Sequence, residues 1–470
     1  MNIDKFDFVV DSTGKASLYQ QIGGHVASLI TGGKLESGEK LPPVRKLAEK
    51  LGVNNGTVVS AYRWLENKKL IYSIMGSGSY VSEVSPGDVK EAKTVKPREV
   101  RFNSENAINF ATSVVPADFF PIDSFKRYFN EVLDSDGGNA FGYQESQGYL
   151  PLREAICGYC AEFGVQSLPD RIQIISGAQQ GVDIISKAVL SPGDVILCEE
   201  LTYPGAVGAF LSRGAKVIGV PLEFDGMDIN HLTSLVRLYR PKIVYCMSYW
   251  QTPTGLTYSL RKKRMLVELA AQYDFLIIEE DNVSDFSYSN EKIAPIKALD
   301  YKNRVIFIKS FSNIFMPGLR LGFMVLPRAV SERVADAKYT ADIETSGFIQ
   351  RAFCRFIASG EWKQHVAKIR GVYSERHDAM KAFSEKLLKS HLSFQAPGGG
   401  LCFWYTLQSA AQADELCSRM LSENIIITPG SIFTLNDEPS AGIRLSFASV
   451  DKNSIKVGIE AMSREILSIV

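Results

Sequence analysis

Short runs of β-branched and other apolar residues recur along most of this chain, and segments with helical periodicity separate them. The runs are Ile172 to Ile175, Val195 to Cys198, Val217 to Val220, Ile243 to Met247, Phe275 to Ile278, Val305 to Lys309 and Gly322 to Leu326. Most intervals between them exceed the roughly one dozen residues that a parallel crossover needs. The pattern predicts an α/β fold, with a mostly parallel sheet and helices on both faces. In open sheets of this kind, ligands bind beyond the carboxyl ends of the strands.

The chain is longer than one hydrophobic core usually supports. With 470 residues, 45% of them hydrophobic and 22% charged, it has the composition of a soluble globular protein with more than one domain. No run approaches about eighteen apolar residues, and no positively charged and apolar leader opens the chain. These features predict a cytoplasmic protein without a membrane partner.

Cysteine usage favours neither a disulfide framework nor a metal site. Seven cysteines, an odd number, are scattered through apparent helices and strands, which favours reduced thiols. Cys157 and Cys160 form a C-x-x-C pair, but no second pair with metal-ligand spacing accompanies them. We therefore expect the pair to reflect helical spacing, and we expect no metal site.

The N-terminal region carries a different pattern. Apolar residues recur at helical spacing from Val44 to Leu51, Gly52 to Asn54 break the run, and a second periodic run follows from Val58 to Leu65. Two short helices joined by a glycine-containing turn are a helix-turn-helix, whose second helix enters the major groove of DNA. A strand, a glycine turn and a second strand between 70 and 81 predict the wing of a winged helix.

Charge is distributed unevenly although it balances overall. The whole chain has 52 basic and 52 acidic residues, whereas the segment from Lys34 to Lys69 has eight basic residues against four acidic ones, an excess of 8 − 4 = +4. This excess is a modest electrostatic footprint for binding to a phosphate backbone.

Polar residues follow two of the predicted strands. Ser310, Ser312 and Arg320 come after the run at Val305, and a guanidinium with two hydroxyls suits a doubly charged phosphate. Ser176 to Gly181 follows another strand and opens a helix, where backbone N–H groups can cradle an anion. Together these segments predict a phosphate seat at the carboxyl edge of the sheet.

Three domain segments follow from these patterns. We expect a winged helix over 1–82, a flexible linker over 83–104 that is rich in alternating charge, and an α/β domain over 105–470.

Residues 16 to 82 resemble the GntR-family winged helix. The resemblance is carried by Leu18 to Ile22, by G-x-L-x-x-G-x-x-L-P at Gly33 to Pro42, and by motifs through Gly78. It places Arg45, Thr57, Tyr62 and Gly78 at DNA. The predicted DNA-binding set also includes Asn54, Asn55, Arg63, Gly76 and Ser77. Pro43 stands where serine is usual, and Asn54 to Gly56 replace the common serine-arginine-x start of the recognition helix. A helix-turn-helix retained only for dimerisation or structure is the alternative.

Val305 to Val325 resembles the cofactor-anchoring segment of fold-type I pyridoxal-phosphate (PLP) aminotransferases. In that family a lysine after S-x-S forms an imine with the cofactor aldehyde and then moves the substrate proton, but this chain has Asn313 there. A carboxamide can do neither, so PLP is expected to bind only non-covalently. Lys309, four residues upstream, is an alternative lysine.

The resemblance implies a smaller C-terminal α+β subdomain over about 345 to 470. It also implies the remaining site residues. The implied cofactor contacts are Tyr143, Gly177, Ala178, Gln179, Tyr203, Thr252, Glu280, Asn282, Ser310, Ser312, Asn313 and Arg320. In the family the tyrosine at 143 reaches the phosphate of the partner subunit, and the position of Tyr203 stacks on the ring, although a core tyrosine would be equally ordinary. Thr252, Glu280 and Asn282 replace an asparagine, an aspartate and a tyrosine. Arg444 matches the clamp for a substrate carboxylate, and a structural ion pair is the alternative for it.

Taken whole, the chain resembles the MocR subfamily of GntR regulators, which form head-to-tail homodimers. The leading hypothesis is a regulator that binds operator DNA and senses a small PLP-like, phosphorylated or amino-acid-type effector, and is not an enzyme. The alternatives are a PLP-dependent aminotransferase with an appended regulatory domain, and a DNA-binding dimer with an empty, purely structural pocket.

Overall fold

The computed structural model describes residues 3–11, 16–83, 90–92, 107–289, 293–436 and 438–469. The chain divides into two compact units. The first consists of Met1–Lys90 and Ile229–Arg240, and the second of Glu91–Asp228 and Pro241–Val470. None of the helices in the described ranges is long and apolar enough to cross a membrane.

The first unit contains the predicted winged helix. Its helices are α1 (Leu18–Thr31), α2 (Val44–Leu51) and α3 (Asn55–Asn67), and its wing strands are β1 (Ile71–Ile74) and β2 (Gly78–Val81). Ile22, Val26, Leu47, Val58 and Leu65 have no exposed surface and form the centre of its core. They come from α1, α2 and α3, so the apolar faces of the three helices share one core.

The turn between α2 and α3 has the local chemistry that a tight helix-turn-helix needs. Gly52 adopts the left-handed conformation with φ of 66° and ends α2, a conformation that costs glycine little. Asn54 then begins α3, because its Oδ1 accepts a hydrogen bond from the Thr57 backbone N–H at 2.7 Å. The Thr57 hydroxyl donates to the same oxygen at 3.0 Å.

The remaining helices and strands alternate along the chain. The helices are α4 (Ile122–Asp136), α5 (Leu150–Glu162), α6 (Ala178–Val189), α7 (Pro204–Leu211), α8 (Ile229–Tyr239), α9 (Leu260–Tyr273), α10 (Arg328–Asp342), α11 (Gly347–Ala358), α12 (Glu361–Leu387), α13 (Ala410–Ser422) and α14 (Lys452–Ile469). The strands are β3 (Glu91–Ala92), β4 (Ile108–Asn109), β5 (Ile172–Ile175), β6 (Val195–Glu199), β7 (Lys216–Val220), β8 (Leu222–Glu223), β9 (Gly226–Met227), β10 (Ile243–Cys246), β11 (Leu276–Asp281), β12 (Val305–Ser310), β13 (Gly322–Val325), β14 (Ser393–Phe394), β15 (Cys402–Thr406), β16 (Ile425–Ile426), β17 (Thr428–Pro429) and β18 (Gly442–Ser446).

The large sheet of the second unit confirms the predicted fold class. Its strand order is β3-β7-β6-β10-β11-β12-β13-β5, and it contains all seven predicted strands. The pairs from β7 to β12 are parallel, and β13 runs antiparallel to both β12 and β5. Strand β5 therefore runs in the same direction as β12, and only the edge strand β3 and β13 are reversed.

Alternate residues of β12 supply two cores, which is why helices cover both faces of the sheet. Phe307 packs in a cluster with Ile156 of α5 and Phe353 of α11. Ile306 and Ile308 belong to a second cluster, with residues of α6. A strand that is buried on both sides reads as a continuous apolar run, as Val305 to Ile308 does.

The C-terminal part forms the predicted smaller α+β subdomain. Its antiparallel sheet has the order β14-β15-β18-β17, and α12, α13 and α14 lie in the same stretch of chain. Strand β4 pairs in parallel with β16, Ile108 opposite Ile425. The sequence pattern did not predict this pairing, because two-residue strands leave no periodicity.

The predicted linker differs from the structure at two residues. Glu91 and Ala92 form β3, which pairs antiparallel with β7, and the Asn436 side chain donates to the Glu91 carbonyl at 3.0 Å. Most of the other predicted linker residues lie outside the described ranges. The domain boundaries themselves, 1–82, 83–104 and 105–470 with the small subdomain from about 345, stay predictions.

The Asn54 cap gives a first test of the winged helix. We expect Asn54→Ala to destabilise α3 by about 1 kcal/mol, since it removes the acceptor for the Thr57 N–H. Hydrogen exchange of the α3 amides in the full chain measures this loss. Asn55→Ala is the matched control, because Asn55 lies within the helix and its side chain makes no hydrogen bond to a described residue. Equal loss of protection in both variants would contradict the capping role.

Candidate functional site

The exposed side of the winged helix presents most of the predicted DNA-binding residues. Those with exposed surface are Arg45, Asn54, Asn55, Arg63, Gly76, Ser77 and Gly78, and Thr57 is half-buried. Neither arginine makes an ion pair with any residue that the structure describes. These two guanidinium groups, one at the start of α2 and one on α3, are suited to contacts with phosphate or guanine.

Tyr62 does not belong to that surface. Its side chain is only 5% exposed, and its hydroxyl donates to the Pro42 carbonyl at 2.7 Å. Burial raises the pKa of Tyr62 far above its ordinary value. The prediction of a DNA contact at Tyr62 is corrected, because its periodicity on α3 directs it into the core, where it holds the chain before α2. Asn54 is exposed, but the contact that its side chain makes in the structure is the cap of α3.

In the second unit, Arg320 joins three segments at the carboxyl edge of the sheet. Its Nη1 donates to Ser312 Oγ at 3.2 Å, and its Nη2 donates to the Ser176 carbonyl at 2.6 Å. The Ser312 backbone N–H donates to Ser310 Oγ at 3.2 Å. The structure thus brings together Ser310, Ser312 and Arg320 as predicted.

Gly177 and Ala178 complete the seat. Gly177 has φ of 101°, and a Cβ there would lie 2.4 Å from Arg320 Nη2, so only glycine fits both the conformation and the space. Helix α6 begins at Ala178, where its first backbone N–H groups have no intrahelical partner. These N–H groups, the guanidinium and two hydroxyls form an arrangement of donors that suits a phosphate.

Gln179 and Tyr203 lie next to this seat. Gln179 Nε2 donates to the Gly205 carbonyl at 2.9 Å, and a Cβ on Gly205 would lie 2.6 Å from the Tyr203 ring. Burial raises the pKa of the half-buried Tyr203, Glu280 raises it further, and Arg320 lowers it. Tyr203 is thus close enough to interact electrostatically with both Glu280 and Arg320.

Glu280 is buried with two donors from the protein. It is 2% exposed, and its carboxylate accepts from the Tyr245 hydroxyl at 2.7 Å and from Asn282 Nδ2 at 2.7 Å. Burial raises its pKa, while these two hydrogen bonds lower it. The net shift of its pKa is upward, and no cation of the described chain lies within ion-pair distance of its carboxyl group.

Asn313 lies in the turn after β12 and is half-buried. Its carboxamide makes no hydrogen bond to any residue in the described ranges. Lys309 cannot replace the missing lysine: its Nζ lies 2.9 Å from Asp281 Oδ2 and 2.8 Å from Asp285 Oδ2, and it is only 1% exposed. Burial lowers the pKa of Lys309, but both carboxylates raise it, and the net shift is upward. The alternative that Lys309 reaches a ligand is wrong.

Arg444 has no carboxylate partner within the described chain, which removes the alternative of a structural ion pair. Its Nη2 donates to the Ala111 carbonyl at 2.7 Å, and its guanidinium carbon lies 5.0 Å from the Phe433 ring centroid. Its buried Nε has no hydrogen-bond partner. Burial lowers the pKa of Arg444, as expected for a desolvated cation without an anion.

Thr252 is half-buried in a turn that Glu199 holds in place through Gln251. The sequence pattern did not predict a role for Glu199. Gln251 donates to Glu199 Oε2 at 3.0 Å and to the Leu201 carbonyl at 2.6 Å. Glu199 also accepts from the Tyr258 hydroxyl at 2.8 Å, and it has no exposed surface. Only the position of an acidic residue at a strand end could have signalled this network in the sequence.

Tyr143 is not brought to the seat. Its side chain is 84% exposed, and no residue of the described chain accepts or donates a hydrogen bond to its hydroxyl. The predicted reach to a partner subunit stays a prediction. All seven cysteines are free thiols.

Comparisons with known proteins agree with this architecture. Residues 105–462 match the family of aminotransferases of class I and II, and residues 18–81 match the bacterial regulatory proteins of the gntR family. The uncharacterized HTH-type transcriptional regulator YdfD of Bacillus subtilis (strain 168) is 30% identical over 465 residues, which cover 95% of each chain.

Two further relatives represent the regulators and the enzymes. The Probable rhizopine catabolism regulatory protein MocR of Rhizobium meliloti is 24% identical over 477 residues, 98% of this chain and 96% of that one. The crystal structure of Pyrococcus horikoshii kynurenine aminotransferase has a TM-score of 0.74 and 29% identity, and covers 78% of this chain and 92% of its own.

Fold and comparisons together define a GntR-type regulator fused to an aminotransferase-like sensor domain. The chain belongs to the class I and II aminotransferase family over most of its length and, through its gntR-type head and its regulator relatives, to the MocR subfamily.

Glu199 gives a prediction for stability against pH. Burial raises the pKa of Glu199 to about 8 from 4.5, so its stabilising contribution is complete below pH 4.5 and is lost as the pH rises towards 8. Glu199→Gln does not titrate. We expect the unfolding free energy of this variant to rise relative to wild type by up to about 1.4 kcal/mol per pH unit across that window.

Urea unfolding at several pH values measures this difference. If the substitution also alters hydrogen bonds, it adds the same free-energy difference at every pH. The slope of the difference against pH is then unchanged. Glu385→Gln is the control, since Glu385 is an exposed residue of α12. A difference between Glu199→Gln and wild type that stays flat from pH 5 to 8 would show that Glu199 is ionised in the folded protein.

Proposed function

We propose that this protein regulates transcription by binding operator DNA through its winged helix, and that its aminotransferase-like pocket binds a small phosphorylated ligand of the PLP type without a covalent bond. The proposal excludes transaminase activity. The observation that carries it is the combination of an intact seat at Arg320, Ser312 and Gly177 with Asn313 at the lysine position.

The electrostatics of the seat favour an anion. The two hydrogen-bonding nitrogens of Arg320 contact neutral acceptors, Ser312 Oγ and the Ser176 carbonyl, and no carboxylate of the described chain pairs with it. Its charge is therefore available to a ligand, and a guanidinium binds phosphate in charge-assisted hydrogen bonds. The related Pyrococcus horikoshii kynurenine aminotransferase was solved in complex with PMP.

The other residues of the pocket suit a ligand that has a ring and a carboxylate in addition to its phosphate. PLP supplies an electron-withdrawing ring and an aldehyde where it is bound, and a buried acid such as Glu280 suits a ring nitrogen. Arg444 is a cation with an unpartnered Nε, which suits a ligand carboxylate. Thr252, Asn282 and Tyr203 offer hydrogen bonding and stacking at the positions that the family resemblance gives them.

Transamination is disfavoured by two residues. Asn313 offers neither a nucleophile nor a base, and the loss of a general base alone typically costs about 10²–10⁴-fold in rate. Lys309 is held by Asp281 and Asp285, so it cannot move to the pocket without leaving two buried carboxylates uncompensated.

We also propose that the protein is a cytoplasmic homodimer. Tyr143 at 84% and Phe141 at 67% exposure are large apolar side chains close together in the chain. They support a subunit interface at this surface, where Tyr143 would reach the phosphate site of the partner.

Binding of PLP tests the seat directly. We expect PLP to bind saturably in equilibrium dialysis, with no adduct after borohydride treatment. Arg320→Met should weaken binding at least about 10-fold, because a hydrogen bond to a charged group contributes roughly 1.5–3 kcal/mol. Arg328→Met, a change at the exposed start of α10, is the control. Equal affinity of wild type and Arg320→Met would place PLP elsewhere.

Restoring the lysine tests the role of Asn313. We expect Asn313→Lys to form a borohydride-reducible adduct with PLP at residue 313, detected by peptide mass spectrometry. Asn303→Lys adds the same residue at an exposed turn and should form none. A reducible adduct of the wild type at Lys309 would contradict the account of the pocket.

A further inference from the structure

The turn of the wing carries an apolar side chain outward. Met75 lies between β1 and β2 and is 101% exposed, the highest value among the large hydrophobic side chains of the described residues. Gly76 and Gly78 follow it with φ of 75° and 123°. Glycines at these positions let the turn approach another surface closely. A single exposed hydrophobic residue is ordinary by itself, so the residues around Met75 decide whether it marks a binding site.

The stem beneath Met75 is firmly held. Ile71 pairs with Val81 at its base, and both are 1% exposed. Further out, the Tyr72 and Tyr80 rings stack with centroids 5.7 Å apart, and the Ser77 and Tyr80 hydroxyls are 2.6 Å apart. Met75 is therefore presented at the end of a short, braced hairpin.

The charge around the tip suits a nucleic acid. From Leu70 to Ser82 the sequence has no acidic residue. Lys40 lies beside the hairpin, with its Nζ 5.7 Å from the Tyr80 centroid, and a Cβ on Gly78 would lie 3.0 Å from Lys40 Cε. A cation beside a neutral, narrow tip matches a groove bordered by phosphates.

The length of the hairpin fits the neighbouring groove. The wing follows α3 after three residues, Lys68 to Leu70. A four-residue strand spans about 13 Å, comparable with the roughly 12 Å width of the major groove that a recognition helix occupies. A wing of this length is long enough to reach the phosphate backbone and minor groove beside a helix that occupies the major groove.

We propose that Met75 enters the minor groove of DNA as an apolar wedge and partly unstacks a deformable pyrimidine–purine step. Met75 is thereby a determinant of sequence preference through DNA deformability rather than through hydrogen bonds to bases. This inference rests on the proposed DNA-binding function and adds the groove, the side chain and the kind of step recognised.

The experiment uses the full chain and two duplexes of equal length, one of alternating A·T and one of alternating G·C pairs. The first has 2-aminopurine at a TA step, so that its fluorescence rises on unstacking. We expect wild type to prefer the A·T duplex and to raise this fluorescence. In Met75→Ala, the preference for the A·T duplex over the G·C duplex should fall about tenfold, and the fluorescence rise should disappear. Its affinity for the G·C duplex and the salt dependence of binding should not change.

Two further variants separate the wedge from a general effect. Met75→Leu, which keeps an apolar side chain of similar volume, should retain preference and fluorescence. Val9→Ala removes a second side chain of the first unit that is 95% exposed and should change nothing. If Met75→Ala matches wild type on both duplexes, the wedge is overturned while DNA binding stands. If wild type binds neither duplex at any salt concentration, the wedge and the proposed function both fail.

Discussion

The hydrogen bonds of Arg320 hold together the candidate phosphate seat. One guanidinium holds the turn after β12 through Ser312 and the turn after β5 through the Ser176 carbonyl. The backbone of Arg320 itself is left-handed, with φ of 51°, and Gly177 must lack a side chain for the guanidinium to fit. These contacts within the protein hold the donors of the seat in place, which would lower the ordering cost of binding an anion.

The charged side chains form one paired cluster and one set without ion-pair partners in the described chain. In the paired cluster, Lys309 is neutralised by Asp281 and Asp285, and this cluster is structurally complete. At the pocket, by contrast, Arg320 and Arg444 have no carboxylate partner in the described chain, and Glu280 has no cation. Because an unpaired buried charge is costly, the buried Glu280 and the desolvated Arg444 suggest a charged ligand, and the exposed Arg320 offers it a cation. Side-chain alternation along β12 explains why Lys309 and the pocket residue Ser310, adjacent in sequence, take opposite roles.

Much of the fold followed from local patterns, and the rest depended on distant contacts. The helix-turn-helix, the wing and the seven long strands were predictable from periodicity and turn residues such as Gly52. The pairing of β3 with β7 and of β4 with β16 was not predictable, because two-residue strands have no periodicity of their own. In the site, the seat around Arg320 was predictable from motif spacing. The burial of Tyr62, the capture of Lys309 and the network of Glu199 were not, since each depends on a partner brought close only by folding.

The measurement that tests the account most directly is DNA affinity with and without a saturating ligand. The full chain would first select a duplex from a random-sequence pool, and its affinity for that duplex would then be compared in the presence and absence of PMP. A sensor coupled to its DNA-binding unit predicts a change of roughly 5–150-fold, absent in a variant that cannot bind the ligand. Unchanged DNA affinity at saturating PMP, with PMP demonstrably bound, would contradict the claim that this pocket controls the winged helix.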